Sequence, residues 1–298
     1  MKILQKNKDI TSLSNFKTPA KAKYYFEINS IQDIDKIADI VNFIKNKYWI
    51  IKNKILFIWA WTNMLFAFDE FDGVVIKNNL NWWKYNKDIK ILESYSNELI
   101  SNIAESLEKY YNQDLWHRFI WLPWSIGWAV YWNAGCFWLE TENNFLKGEI
   151  LVIESGQVST LSRQDMNFSY RSSILKENWN RQLLIKAYFD LSKKVEKYHS
   201  DVDNIDFREN KQPKGNTCWS FFKNPSRELS AWYLIEKVWL KGYKIGWAFF
   251  SEKHANFLMS DWTATYKDLI KLILLAQKKV KQNFWIDLIN EVRIITNN

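Results

Sequence analysis

"IWLPWSIGWAVYWNAG", residues 120–135, holds Trp121, Trp124, Trp128 and Trp132 at intervals of three and four. The same stretch carries Pro123, Gly127, Asn133 and Gly135, residue types that mark tight turning of the backbone. Bulky indoles and tight turns do not ordinarily share a segment, because a turn residue at positive φ has no room for a Cβ. What stands at these positions decides how the chain is read.

The anomaly runs through the whole sequence, which has 18 Trp against 8 Gly in 298 residues. Gly alone ordinarily makes up roughly 7% of a chain, close to what the two types reach here together. The 41 Lys and Arg against 33 Asp and Glu give a net charge of +8, spread without long runs of one sign. That describes a solvated basic surface suited to a polyanionic small molecule rather than a nucleic-acid arm. The start, "MKILQKNKDI", lacks the apolar core of a signal peptide, and the apolar run at 55–68 is shorter than the roughly 18 residues that span a bilayer. A cytoplasmic protein is expected. Cys136 and Cys218 have neither metal-ligand spacing nor framework partners, which predicts no zinc and no disulfide.

Apolar spacing predicts helices over 30–47, 97–113 (capped by Asn97), 226–238 (capped by Ser226) and 265–284. Strands are expected at the start of 54–66, where a polar break follows at Thr62-Asn63, and at 88–96, 149–153, 182–190 and 286–296. Asp72-Gly73 reads as a turn before a further strand, 121–135 as a loop once its indoles are taken for glycines, and the polar stretch 198–216 as a linker. Helices and strands mix without a repeat, so the class is α+β, with domains at 10–196 and 205–298.

Trp59, Ala60 and Trp61 stand between a strand and Thr62-Asn63, where a phosphate-cradling loop needs glycine so that backbone N–H groups can approach an anion. Reading Gly for Trp turns 58–66 into "IGAGTNMLF" and the opening stretch into "IGLPGSIGGAVYGNAG". Other landmarks need no substitution: "FDGVVI" (71–76), "YRSSILK" (170–176), "SFFKNP" (220–225), "LIEKV" (234–238), "KHANF" (253–257) and "NEVRI" (290–294). With these in order, the chain resembles the UDP-N-acetylenolpyruvoylglucosamine reductase family along nearly its whole length. The 48 residues between Arg171 and Ser220 resemble the family's shorter branch, which lacks an inserted tyrosine lid. The departures concentrate in one residue type, as expected if UGA codons that the source cell reads as glycine were translated as tryptophan.

The resemblance implies a two-part FAD-binding module of the vanillyl-alcohol-oxidase (PCMH) type followed by a smaller α/β substrate domain. It implies non-covalent FAD held by one loop with Trp59, Ala60, Trp61, Thr62 and Asn63 and another with Pro123, Trp124, Ser125, Asn133, Ala134 and Gly135. NADPH is the implied co-substrate and a UDP-sugar of peptidoglycan precursor synthesis the substrate, in a monomer with no metal and no nucleic acid. Arg171 is the implied ligand of the substrate carboxylate, since a guanidinium grips a carboxylate bidentately and stays charged. Ser220 is the implied proton donor to an enolate-like carbon and Glu291 the implied catalytic carboxyl. Tyr170, Lys223, Asn224 and Asn256 are implied substrate or NADPH contacts. Where the family often has "LEPEV", this chain has Leu288, Ile289, Asn290 and Glu291, so the first carboxylate is missing. Two other readings stay open: a related FAD-dependent sugar or alcohol oxidase, and a basic, aromatic-rich nucleic-acid-binding protein.

Overall fold

The structure, a computed structural model, describes residues 1–49, 53–60, 63–178, 181–193, 210, 212–261 and 263–297. The expected linker at 198–216 lies largely outside the described residues, as do the expected cofactor ligands Trp61 and Thr62. The chain divides into two compact units, the first made of 1–6, 24–61 and 72–205, the second of 7–23, 62–71 and 206–298. Two N-terminal stretches thus group with the C-terminal part of the chain.

In the first unit an antiparallel sheet runs in the order Gln157–Ser162, Phe145–Val152, Gln182–Asp190, Ile91–Tyr95, Trp83–Asn86. A second sheet has the order Gln5–Asp9, Lys21–Ile28, Glu70–Asn78, Ile55–Ile58. Ile55–Ile58 is wholly buried and pairs in parallel with Glu70–Asn78, Ile55 facing Val74 and Phe57 facing Ile76. The expected turn at Asp72-Gly73 is therefore absent. The β-branched run Val74-Val75-Ile76 has strands on both sides, and Asp72 is held in line by the Tyr48 hydroxyl at 3.0 Å and Lys54 Nζ at 2.9 Å.

The Lys36–Tyr48 helix buries Ile37, Ile40, Val41 and Ile44 at helical spacing and stops at Trp49 in the left-handed region, φ 60°. The Ile100–Tyr111 helix stops the same way at Asn112, φ 52°. Leu99, not Asn97, occupies its N-cap. Asn97 is drawn elsewhere, its Oδ1 accepting from Ala60 N at 2.6 Å and its Nδ2 donating to Asn81 Oδ1 at 2.8 Å.

The stretch that opened the reading is not a loop throughout: Ile126–Trp132 is a short helix, buried at all seven positions. Ser125 caps it, its Oγ accepting from Trp128 N at 3.3 Å, and Asn133 ends it at φ 44°. Of the four tryptophans only Trp128 and Trp132 lie in this helix, one turn apart, while Trp121 and Trp124 precede it.

In the second unit the antiparallel order is Asn216–Ser220, Phe257–Ser260, Ala248–Phe250, Lys244–Ile245. The closing strand is shorter than expected, Arg293–Ile295, and pairs in parallel with Met64–Phe66. The core joins Phe16 and Leu65 to Phe221, Phe222, Leu234, Leu258, Leu272 and Val292. The helix expected at 226–238 spans only Ala231–Lys237, because Ser226 closes its own turn by accepting from Leu229 N at 3.2 Å.

The Tyr266–Phe284 helix begins with a reciprocal capping box: Thr265 Oγ1 accepts from Asp268 N at 3.3 Å while Asp268 Oδ2 accepts from Thr265 N at 3.3 Å. Thr265→Ala is expected to cost about 1 kcal/mol, read as a lower urea midpoint. Burial pushes the His254 imidazole down to about 4, with a smaller push from Lys241. Its Nδ1 accepts from Asn256 N at 3.3 Å and its ring lies 4.5 Å from that of Phe257. The unfolded chain takes up this proton near pH 6.5 and the native state only near 4, so stability falls as pH drops through that window. The fall in urea midpoint between pH 7 and pH 5 is expected to be smaller in His254→Asn than in the parent; an equal fall would contradict this.

Candidate functional site

The expected cofactor loops of the first unit meet around Ser96. Its Oγ accepts from Trp59 Nε1 at 3.1 Å and from Asn78 Nδ2 at 2.8 Å, and its carbonyl accepts from Gly127 N at 2.6 Å. Asn97 holds Ala60 through the backbone bond already described, so a residue expected to cap a helix instead fixes the loop after Ile55–Ile58. The Trp124 carbonyl accepts from Ile100 N at 3.0 Å, tying the segment beside Pro123 to the next helix.

Indoles fill the interior at this point. Trp59, Trp124 and Trp128 are all buried. A Cβ built on Gly127 would come within 2.7 Å of Trp59 Nε1, so the Trp59 ring lies directly on the Gly127 backbone. The Nε1 atoms of Trp124 and Trp128 are buried with no hydrogen-bond partner among the described residues, an arrangement that ordinarily costs about 1–3 kcal/mol per group.

Asn133 and Ala134, expected beside the flavin ring, serve the framework. Asn133 Nδ2 donates to Glu142 Oε1 at 3.0 Å and to Ser169 O at 3.2 Å, while its Oδ1 accepts from Glu142 N at 3.0 Å. The Ala134 carbonyl accepts from Thr141 N at 2.8 Å and Thr141 Oγ1 at 2.9 Å. Gly135 starts a tight hairpin in which a Cβ would lie 2.9 Å from the Leu139 carbonyl oxygen.

Arg171 sits at φ 54° with its side chain mostly buried against this hairpin. Nη2 donates to Gly135 O at 2.8 Å, Nη1 to Asn133 O at 3.4 Å, and Glu140 lies 3.9 Å away. The exposed Tyr170 ring packs 4.9 Å from the guanidinium carbon. Burial raises the Glu140 carboxyl above the ordinary range, with Arg171 opposing the shift and Glu142 adding to it. Sequence reasoning missed Glu140, whose only signal was its place five residues after "NAG".

In the second unit the structure brings Ser220 and Glu291 into one neighbourhood. Ser220 ends the strand Asn216–Ser220 and faces Phe257. The next residue, Phe221, accepts from Glu291 N at 2.7 Å through its carbonyl, and Phe222 bridges Asn290. Lys223 N donates to Ile289 O at 2.8 Å, and Arg293 N donates to Asn63 O at 2.9 Å. "SFFKNP", "NEVRI" and Asn63 are therefore laced together by main-chain bonds, with the Glu291 side chain in a nearly buried residue.

Asn256 and Asn224 have structural work here. Asn256 accepts from Phe222 N at 2.9 Å and donates to Phe222 O at 2.8 Å, a double clamp on the backbone two residues past Ser220. Asn224 Oδ1 accepts from Ala231 N at 3.1 Å, at the start of the Ala231–Lys237 helix. Asn63 differs: it is buried, and neither carboxamide atom has a hydrogen-bond partner among the described residues. An orphaned amide of this kind fits a polar ligand.

In the second unit Asn63 offers the unsatisfied amide that a flavin would use. In the first unit the indoles at 59, 124 and 128 fill the volume beside the backbone N–H groups that a flavin would need open. Among the described residues no cluster of His, Cys, Asp and Glu could hold a metal ion, and no helix is long and apolar enough to cross a membrane.

Residues 211–295 match the family model described as UDP-N-acetylenolpyruvoylglucosamine reductase, C-terminal domain. The chain is 33% identical over 274 residues to UDP-N-acetylenolpyruvoylglucosamine reductase of Bacillus pumilus (strain SAFR-032), covering 89% of this chain and 86% of that one. It is 29% identical to the Aquifex aeolicus (strain VF5) protein of the same name, with 98% and 95% covered. In three dimensions it is similar to UDP-N-acetylenolpyruvylglucosamine reductase (MurB) from Thermus caldophilus, with a TM-score of 0.76 over 98% of this chain and all of that one, at 17% identity. That likeness gives the mixed helix-and-strand architecture as the MurB fold, and with the identity to the Bacillus pumilus protein across most of both chains, this chain belongs to the UDP-N-acetylenolpyruvoylglucosamine reductase family.

Proposed function

We propose that this protein reduces the enolpyruvyl double bond of UDP-N-acetylenolpyruvoylglucosamine to give UDP-N-acetylmuramate, with NADPH as reductant and non-covalent FAD as hydride carrier. The observation that carries this reading is the lacing of Ser220-Phe221-Phe222 to Asn290-Glu291, in a chain of this family. The flavin, when bound, supplies hydride transfer. The chain's own residues manage charge and protons.

Hydride arrival at the terminal carbon leaves negative charge spread into the substrate carboxylate. Arg171, permanently charged, neutralises it. In this structure its guanidinium is occupied with the carbonyls of Asn133 and Gly135, which hold it extended against the hairpin. The Ser220 hydroxyl then delivers a proton to the adjacent carbon, a transfer open to so weak an acid only because the enolate is strongly basic. Glu291, whose N–H donates to the Phe221 carbonyl, assists that proton delivery. Asn256 positions Ser220 rather than touching substrate, while Lys223 and Tyr170 contact the nucleotide sugar or NADPH. The enzyme acts as a cytoplasmic monomer, a reading in keeping with Cys136 and Cys218 standing as thiols outside any disulfide.

Ser220→Ala and Glu291→Gln are each expected to lower kcat by about 10²–10⁴-fold, with the flavin absorbance of the purified protein unchanged. Stopped-flow measurement of NADPH oxidation, with and without the enolpyruvyl sugar nucleotide, checks this. Turnover driven instead by a free sugar or alcohol would favour the oxidase reading. An unchanged kcat in Ser220→Ala would overturn the proposed proton route.

A further inference from the structure

Six tryptophans among the described residues have φ in the left-handed region: Trp49 at 60°, Trp121 at 64°, Trp138 at 68°, Trp219 at 61°, Trp239 at 61° and Trp285 at 61°. For a side chain this bulky such a backbone is an outlier even once. Five of the six sit where a specific structural device calls for glycine.

Trp49 and Trp285 are the left-handed stops of the Lys36–Tyr48 and Tyr266–Phe284 helices. Trp239 follows the Ala231–Lys237 helix in a Schellman motif, its own N donating to Glu236 O at 3.0 Å and Leu240 N to Ile235 O at 3.2 Å. Phe137 and Trp138, at φ 48° and 68°, are the two central residues of the hairpin that pairs Cys136 with Leu139. Positive φ at both is the type I′ turn, whose second position favours glycine. Trp219 lies in the register shift between Thr217 and Ser220, and a bulge residue with left-handed φ is ordinarily glycine.

At the three helix stops the side chains gain little in return. Trp49, Trp239 and Trp285 are 92%, 87% and 83% exposed, so their indoles bury almost no surface. Trp116 is the contrast: fully buried, outside the left-handed set, with Nε1 donating to Asn144 Oδ1 at 3.3 Å and its ring edge-on to Phe119 and Phe189. That is how a tryptophan behaves when the fold was selected around it.

We infer that the working protein carries glycine at positions 49, 121, 138, 219, 239 and 285, through a UGA codon read as glycine in the source cell, and genuine tryptophan at 116. Positions 59, 124 and 128 are outside the left-handed set, and Trp59 shares with Trp116 a buried, hydrogen-bonded indole, so the inference is confined to the six. The inference stands apart from the proposed catalysis, because three of the six residues are helix stops. Glycine at all six in a protein without flavin would leave it intact and defeat the other reading.

The test is peptide mass spectrometry of the protein isolated from its source cells, set against the codons of its gene. The expected result is glycine at the six positions over UGA codons and tryptophan at 116 over UGG. Indoles at the six positions, or UGG codons there, overturn the inference. A second measurement uses the recombinant chain with tryptophan as written. Trp239→Gly and Trp285→Gly should each raise the thermal midpoint and Trp116→Gly should lower it; a lower midpoint in the first two variants overturns it equally.

Discussion

A chain turns left-handed at little cost only where the Cα carries no Cβ to collide with the following carbonyl, and three helices and one hairpin of this fold end or reverse through that conformation. The Lys36–Tyr48, Ala231–Lys237 and Tyr266–Phe284 helices all end through such a residue. So does the hairpin that sets Glu140 beside Arg171. At roughly 1–2 kcal/mol for each Cβ forced into this conformation, six indoles would cancel a large part of the roughly 5–15 kcal/mol that keeps a domain folded. Asn112 and Asn133 show the alternative that a side-chain-bearing residue offers, since a short amide tolerates the same angles.

Around these stops the candidate site is made of two kinds of residue. Asn256, Asn133, Ala134 and Asn224 spend their polar atoms on neighbouring backbone, holding strands and turns in register. In the proposed reading, Ser220 and Glu291 are the groups that act on substrate within that framework. Motif membership alone does not separate the two kinds, because a short motif contains both the group that does chemistry and the group that holds it still.

Much of the fold was legible in the amino-acid order. The helices at 36–48 and 266–284 announce themselves by apolar spacing, and the latter by its Thr265 and Asp268 cap. Failures came where a residue's local habit was overruled by a distant partner. Asp72-Gly73 has turn chemistry, but Tyr48 and Lys54 hold the aspartate inside a strand. Asn97 is a good helix cap in isolation, yet Ala60 and Asn81 claim its amide. The helix at Ile126–Trp132 was hidden among turn residues, with Pro123 just before it and Asn133 and Gly135 just after. Of the site, the serine and glutamate motifs were readable, but their adjacency was not, since it rests on main-chain bonds between segments about seventy residues apart.

The parallel pairing of Arg293–Ile295 with Met64–Phe66 joins stretches separated by most of the chain. While the polypeptide emerges from the ribosome, Met64–Phe66 must wait without its neighbour until nearly everything after it has been synthesised. The second unit therefore matures late, and Glu291, two residues before that final strand, is among the last groups to reach its place. A nascent chain stalled before this point would hold an unfinished core, with Phe221 and Met64–Phe66 still lacking their main-chain partners.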